Sequence, residues 1–238
     1  MTTILGLTAN SGIEGVVIAA DRQLNWYDDP PHETKFLKKE QTKKINYGKN
    51  WIIGDVGGIS NQFAVLLKSG KNKLNTMIYN AVRRFYEHPK SKKPHFPEIN
   101  EINTLLRRRD VEEDCLHAMV LAAKVDRKIG LWYVDEFGNL KESKKEYYIT
   151  LGSGGEYVTK YLTELSEKGD VDQDVLTIPA AIDLAVSCLD VAQQDPNTGG
   201  LDLAVLTSKG VKYYGNFIQE TMQRQKKSMI KSIKNNYK

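Results

Sequence analysis

The sequence predicts an α+β fold, with antiparallel sheets and helices stacked outside them. Three observations predict it. Strand and helix patterns come in groups: strands, a helix pair, strands, a helix pair, strands, a final helix. Such grouping segregates helices from sheets instead of alternating them in parallel units. Several successive strand patterns are joined by short turn clusters, the connection that antiparallel neighbours use. Finally, no fixed-period repeat and no long linker divides the 238 residues, so one domain is expected over 1–238.

The first two strands are residues 3–8 and the apolar run from Gly15 to Ala20, with a turn cluster at Asn10, Ser11 and Gly12 between them. Residues 24–42 read as a long irregular stretch, because Pro30-Pro31 rules out a helix and disfavours a central strand. Strand patterns resume at 44–47 and, across a turn at 48–50, at 51–58, the latter running into a glycine-rich corner at Gly57-Gly58. A helical spacing of apolar residues covers 59–88 and ends at Pro89; a second covers 98–109, with Ile99, Ile102, Leu105 and Leu106 on one face. Residues 116–125 and 128–135 form a hairpin through Asp126-Arg127, and shorter strands follow, the last at 146–150. Helices are then expected over 156–168 and 179–194, the latter opening on Pro179, which suits a first turn. A last hairpin joins 201–207 to 211–214, and a basic helix covers about 217–238. That helix carries Met222, Met229, Ile230, Ile233 and Tyr237 as an apolar stripe, expected to pack on a neighbouring subunit.

Composition narrows the classes. Hydrophobic residues make up 40% and charged residues 27%, as in soluble globular proteins. No run reaches transmembrane length, and the start has no basic region of the secretory type, so a cytoplasmic location is expected. Cys115 and Cys188 lie in apolar surroundings without metal-ligand spacing, which favours buried thiols over a disulfide. The net charge of +4 is spread over several patches with no nucleic-acid reader motif, so neither nucleic acid nor membrane is expected as a partner.

The candidate chemistry begins at Thr2. A small side chain after Met1 permits removal of that methionine, which would leave the Thr2 hydroxyl beside its own free amine. A threonine hydroxyl needs a base, and an N-terminal amine can be one. Small residues at this position are common, so the feature alone says little. The hairpin adds to it: with Ser11 and Gly12 at the tip, Thr2 falls opposite Asp21, and directly opposed residues share a face. A one-residue slip, or a bulge at Gly15, would move that pairing.

Four separated pieces together resemble a family: Thr2-Thr3-Ile4-Leu5-Gly6; Gly15 to Ala20 followed by Asp21-Arg22; Lys43-Lys44-Ile45 with Ile52-Ile53-Gly54 after it; and Gly152-Ser153-Gly154-Gly155 followed by Asp195-Pro196-Asn197-Thr198-Gly199-Gly200. Over 2–214 the chain is similar to proteasome β-type subunits and to the proteasome-like peptidase of the bacterial two-component ATP-dependent protease. The resemblance implies a four-layer α-β-β-α sandwich and a threonine-type endopeptidase acting through an acyl-enzyme, with no metal or organic cofactor. It implies Thr2 as nucleophile, with Asp21 and Lys44 beside it. It also implies Gly54 as a backbone oxyanion donor, since a residue without Cβ lets the main chain approach substrate. Ser153, Asp195 and Thr198 would orient the amine. Strand alternation sends one of Lys43 and Lys44 inward, and the family pattern favours Lys44. Thr198 stands where the family more often has Ser, and Pro196 after Asp195 is unusual.

Leu24, Ile52 and Val56 fall at the positions that line the family's first pocket. All are apolar, so cleavage after hydrophobic residues of a peptide or unfolded protein is expected. Implied partners are further copies of the chain in a ring, with a proteasome α-type subunit or an ATPase as companions. Two other readings stand beside this one. One is a non-catalytic structural subunit of such a ring, in which Thr2 stays capped. The other is a small-molecule amidohydrolase of the same N-terminal-nucleophile type.

Overall fold

The computed structural model describes residues 3–28, 35–41, 43–56, 71–87, 118–135, 137–143, 147–172, 174–196, 198–215, 230–231 and 233–237, with the backbone alone at 24–28, 35–41, 55–56 and 71–74. The expected helix over 98–109, Cys115, Met222 and Met229 lie outside them.

Strands β1 (Thr3–Ala9) and β2 (Gly15–Ala20) pair antiparallel near the middle of a five-stranded sheet. β2 is buried at every position, which is why its sequence runs apolar instead of alternating with polar residues. The sheet has the order β10–β1–β2–β11–β12, where β10 is Tyr148–Gly152, β11 is Asp202–Thr207 and β12 is Gly210–Tyr213. A second antiparallel sheet runs in chain order through β5 (Ile45–Tyr47), β6 (Trp51–Val56), β7 (Ala118–Val125), β8 (Lys128–Val134) and β9 (Leu140–Glu142). The described residues are thus mixed α+β with two five-stranded antiparallel sheets. Its described helices are α1 (Lys71–Glu87), α2 (Gly155–Glu167) and α3 (Ile178–Ala192), with a further helical turn at 233–235. Among them, no helix is long and apolar enough to cross a membrane.

Three apolar clusters show how strand alternation divides the side chains. Leu5, Leu7, Val17, Ala19, Leu203 and Val205 pack against Val158 and Leu162 of α2 and Ile182, Cys188 and Leu189 of α3. The residues in between, Ile4, Val16, Ile18, Ala20, Ala204 and Leu206, pack instead against Ile45, Ile52, Val120, Ala122 and Leu131 of the other sheet. The opposite face of that second sheet, with Trp51, Ile53, Leu121 and Trp132, packs on Ile78, Ala81 and Val82 of α1. Strands β1, β2, β6, β7, β8 and β11 therefore each serve two cores at once, and truncating a buried isoleucine such as Ile18 to alanine should cost about 2–5 kcal/mol in urea unfolding. Helix α3 starts where Thr177 accepts the Ala180 N–H on its side chain, with Pro179 in the first turn.

Three expectations are corrected. First, the hairpin register is one residue away from the pairing of Thr2 with Asp21. Ile4 opposes Ala20, and the Asp21 N–H donates to the Thr3 carbonyl at 3.0 Å. The strands close at Ala9 and Gly15, and the intervening loop is pinned from elsewhere: the Asn10 and Ser11 N–H groups both donate to the Leu176 carbonyl. Second, the stretch 24–42 contains two strands. β3 (Gln23–Asp28) and β4 (Lys35–Gln41) form a two-stranded antiparallel ribbon, with a register shift at Trp26 and Tyr27. Third, Ile230, Ile233 and Tyr237 are buried within their own chain, in the α2–α3 cluster, and not held out for a neighbour. Tyr237 shares a hydroxyl–hydroxyl bond with Tyr214 at 2.8 Å, and Lys234 pairs with Asp183 of α3.

Cys188 is a free, fully buried thiol, and burial alone pushes it up to about 12 from 9.0. Below pH 9 both folded and unfolded chains keep this proton. As pH rises towards 12 the unfolded chain ionises first, so the thiol's contribution falls by up to roughly 4 kcal/mol. Urea unfolding of wild type and Cys188→Ala at pH 8 and pH 11 should show the stability difference moving against wild type. An unchanged difference contradicts the burial argument.

Candidate active site

The start of β1 brings two polar chains together at Thr3; Thr3, Asp21, Lys44, Asp195 and Thr198 are buried there, while Ser153 is exposed. The first chain comes from the end of β2. Asp21, fully buried, accepts the Thr3 N–H at 2.6 Å on Oδ1 and the Gln23 N–H at 3.0 Å on Oδ2. Lys44, just before β5, lays its ammonium against the same carboxylate at 2.8 and 2.9 Å and donates to the Gln23 carbonyl at 2.7 Å. Its neighbour Lys43 turns outward over the rings of Tyr47 and Tyr213, 4.5 Å from each centroid.

A carboxylate and an ammonium taken out of water are tolerated only when paired and hydrogen-bonded. Both conditions hold here. Burial pushes the Asp21 carboxyl up from its ordinary value, and the Lys44 charge and the two amide donors oppose that rise. Burial pushes Lys44 down, and Asp21, Asp195 and Asp202 oppose the fall. The pair is therefore a cation and an anion each made less comfortable by its surroundings and held charged by the other.

The second chain comes from the far end of the molecule. Ser153, in the turn between β10 and α2, donates through its hydroxyl to Asp195, just past α3. Thr198, on the loop leading to β11, donates to the same carboxylate oxygen at 3.4 Å, and its backbone N–H closes on the Asp195 carbonyl at 3.0 Å. Its hydroxyl meets that of Thr3 at 2.8 Å. The result is a continuous path from Ser153 through Asp195 and Thr198 to Thr3. Pro196 takes part through its carbonyl, which accepts the Gln23 side-chain amide at 2.8 Å. The path crosses over Gly154, where a Cβ would run into the Thr3 hydroxyl and stand 3.0 Å from that of Thr198.

Of the residues singled out from sequence, Asp21, Lys44, Ser153, Asp195 and Thr198 converge. Thr2 lies outside the described residues, joined by its peptide bond to the Thr3 nitrogen that Asp21 holds. Gly54 sits within β6, between Ile45 of β5 and Val120 of β7. Its missing Cβ admits Ile4, whose Cγ2 would be 2.6 Å away, so the glycine serves sheet-to-sheet packing and not the approach of a substrate. Ile52 is likewise fully buried between the sheets and faces no open pocket. Leu24 and Val56 are described by backbone only, on β3 and β6. The expectation of an apolar specificity pocket thus loses its middle residue.

Three residues missed from sequence belong to this region. Thr3 is the junction of the two chains, and the correct hairpin register would have pointed to it. Gly154 makes room for the junction. Asp202 accepts from Arg22, Lys44, Ile45 and Tyr213. Its signal was an acid in phase with Ala204 and Leu206 in an otherwise apolar strand. Chemically, the region offers a fixed positive charge, a hydroxyl–carboxylate path able to hold or pass a proton, and a rigid strand end between them.

No protein-family model matches the chain, and the search of curated proteins finds no match.

Proposed function

We propose that this chain is a threonine-type peptidase of the proteasome β kind, folded as a four-layer α-β-β-α sandwich, with Thr2 as its N-terminal nucleophile. The observation that carries the reading is the convergence of the Asp21–Lys44 pair and the Ser153–Asp195–Thr198 path on Thr3, one peptide bond from Thr2. The three apolar clusters, one between the sheets and one under helices on each side, support the layering.

Removal of Met1 would free the Thr2 amine. In the reaction that amine takes the hydroxyl proton as Oγ1 attacks the scissile carbonyl carbon. The Lys44 charge lowers the cost of the oxygen anion that forms on the way. The peptide C–N bond then breaks, its nitrogen takes the proton, and an ester on Thr2 remains. Water, deprotonated by the same amine, hydrolyses that ester and restores the hydroxyl. Asp195, Ser153 and Thr198 orient the strand end on which the amine sits. Assembly into a ring, with an α-type subunit or an ATPase as companion, is part of the proposal and rests on the resemblance.

The test is a threonine-directed electrophile, of the epoxyketone class, followed by mass mapping of the protein whose mature N-terminus has been checked. One adduct on Thr2 is expected. Thr2→Ala should lose both the adduct and peptide hydrolysis, by about 10⁴-fold or more. A chain that has lost Met1 yet takes no adduct and cleaves no peptide overturns the reading, and a mature protein that keeps Met1 favours the structural subunit.

A further inference from the structure

Lys44 is gripped from two sides, and the chemistry proposed above uses one of them. On the other side lies Asp202, the first residue of β11 and fully buried. It opposes Ala20 in the sheet and is in phase with Ala204 and Leu206, so it faces the space between the sheets. A carboxylate there is costly unless it is fully engaged. Its Oδ2 accepts the backbone N–H of Lys44 at 3.3 Å and of Ile45 at 3.4 Å. Its Oδ1 accepts the Tyr213 hydroxyl at 2.6 Å and the Arg22 guanidinium at 3.4 Å. The two amides are those through which the chain enters β5. One carboxylate on the first sheet therefore pins the main chain that delivers the lysine from the second.

We propose that Asp202 is a positioning residue for the Lys44 ammonium: it fixes the 44–45 backbone and adds a further negative charge to the surroundings of the cation, so that Lys44 stays seated on Asp21. Among the described residues, the charged groups around Lys44 include Asp21 at the end of β2, Asp195 after α3 and Asp202 on β11, with Arg22 as the cation bound to Asp202 and the adjacent Lys43 turned outward. Arg22 offsets Asp202, so the two residues act on Lys44 with opposite sign. The inference deepens the peptidase reading and rests on it for its catalytic meaning. Its claim about Lys44 can be read without turnover.

The experiment follows the Lys44 Nζ resonance against pH in protein labelled with ¹⁵N-lysine, assigned by its loss in Lys44→Arg. In Asp202→Asn the lysine should titrate at lower pH than in wild type. In Arg22→Gln it should titrate at higher pH. Mere loosening of the region would move both variants the same way. In the peptide assay, Asp202→Asn should lower kcat about ten-fold with KM little changed, and bring the alkaline loss of activity to lower pH. An Asp202→Asn protein that folds and leaves the Lys44 midpoint where it is in wild type overturns the proposal. If Asp202→Asn does not fold, Arg22→Gln decides: a midpoint that stays or falls overturns it. Opposite shifts in a wild-type protein that cleaves no peptide leave the positioning role standing and remove the peptidase reading alone.

Discussion

Lys44→Met is expected to lower peptide hydrolysis by about 10³-fold and to destabilise the fold by about 3–5 kcal/mol. The two losses have different origins. Turnover falls because the Lys44 ammonium set against the Asp21 carboxylate beside the strand end is gone. Stability falls because Asp21, with no exposed surface, keeps its charge and its two amide donors but loses its cation. Breaking a buried pair by removing one partner leaves an uncompensated charge, which costs more than the pair was worth. Converting both residues, in Lys44→Met with Asp21→Asn, should recover most of the stability and none of the activity. Urea unfolding and a peptide assay on the same preparations separate these outcomes. A single variant with wild-type stability, or turnover within ten-fold of wild type, would count against the pair's role.

The same variant has a pH signature. Burial already raises the Asp21 carboxyl, and Lys44 is the chief influence holding it down. Without Lys44 the folded-state value rises further above the unfolded one. A group raised on folding contributes stability that is whole below its unfolded value, near 3.8, and is lost as pH rises through the folded value. The deficit of Lys44→Met relative to wild type should therefore shrink as pH falls towards 4 and grow towards neutrality. A deficit that is flat between pH 4 and pH 7 would assign it to lost packing of the lysine stem instead.

How far the sequence carried the fold depended on where the deciding contacts came from. Local patterns were enough for β2, whose unbroken apolar run fits burial on both faces, and for the hairpin through Asp126 and Arg127. They were enough for α3, where Thr177 and Pro179 mark the start. They were not enough for the register of the first hairpin. There the loop is held by the Leu176 carbonyl, far along the chain, and local turn chemistry could not report it. Pro30-Pro31 misled for a different reason: both fall between β3 and β4, so they break neither strand. The apolar stripe expected near the end of the chain gave a face without saying what covers it, and the α2–α3 cluster of the same chain supplies the answer at Ile230 and Ile233. At the site, alternation at Lys43 and Lys44 required that one turn inward, and Lys44 is the one against Asp21. Asp202 stayed invisible because its partners come from β2's end, β5 and β12, three segments that only the folded sheets bring together.

Gly154→Ala should damage both stability and turnover. The backbone there has φ −80° and ψ −4°, ordinary helical values, so alanine meets no conformational strain. The cost is purely one of space. The new Cβ would overlap the Thr3 hydroxyl and press within 3.0 Å of Thr198 Oγ1 and 3.2 Å of Ala192 Cβ. Thr3 cannot swing aside: it is short, β-branched and fully buried, and its N–H is held by Asp21. Either the start of β1 or the start of α2 must move. Overpacking of this kind costs about 1–3 kcal/mol, and a displacement near 1 Å at reacting groups costs about 10²-fold in rate. Removing the obstructing hydroxyl in Gly154→Ala with Thr3→Ala should restore stability, since the methyl then occupies the vacated space. It should not restore turnover, because Thr198 no longer has a partner at the strand end. Unfolding and hydrolysis measured on the two variants decide the matter. If the double variant is no more stable than the single one, the clash is not at Thr3, and the junction of the two polar chains has been drawn at the wrong residue.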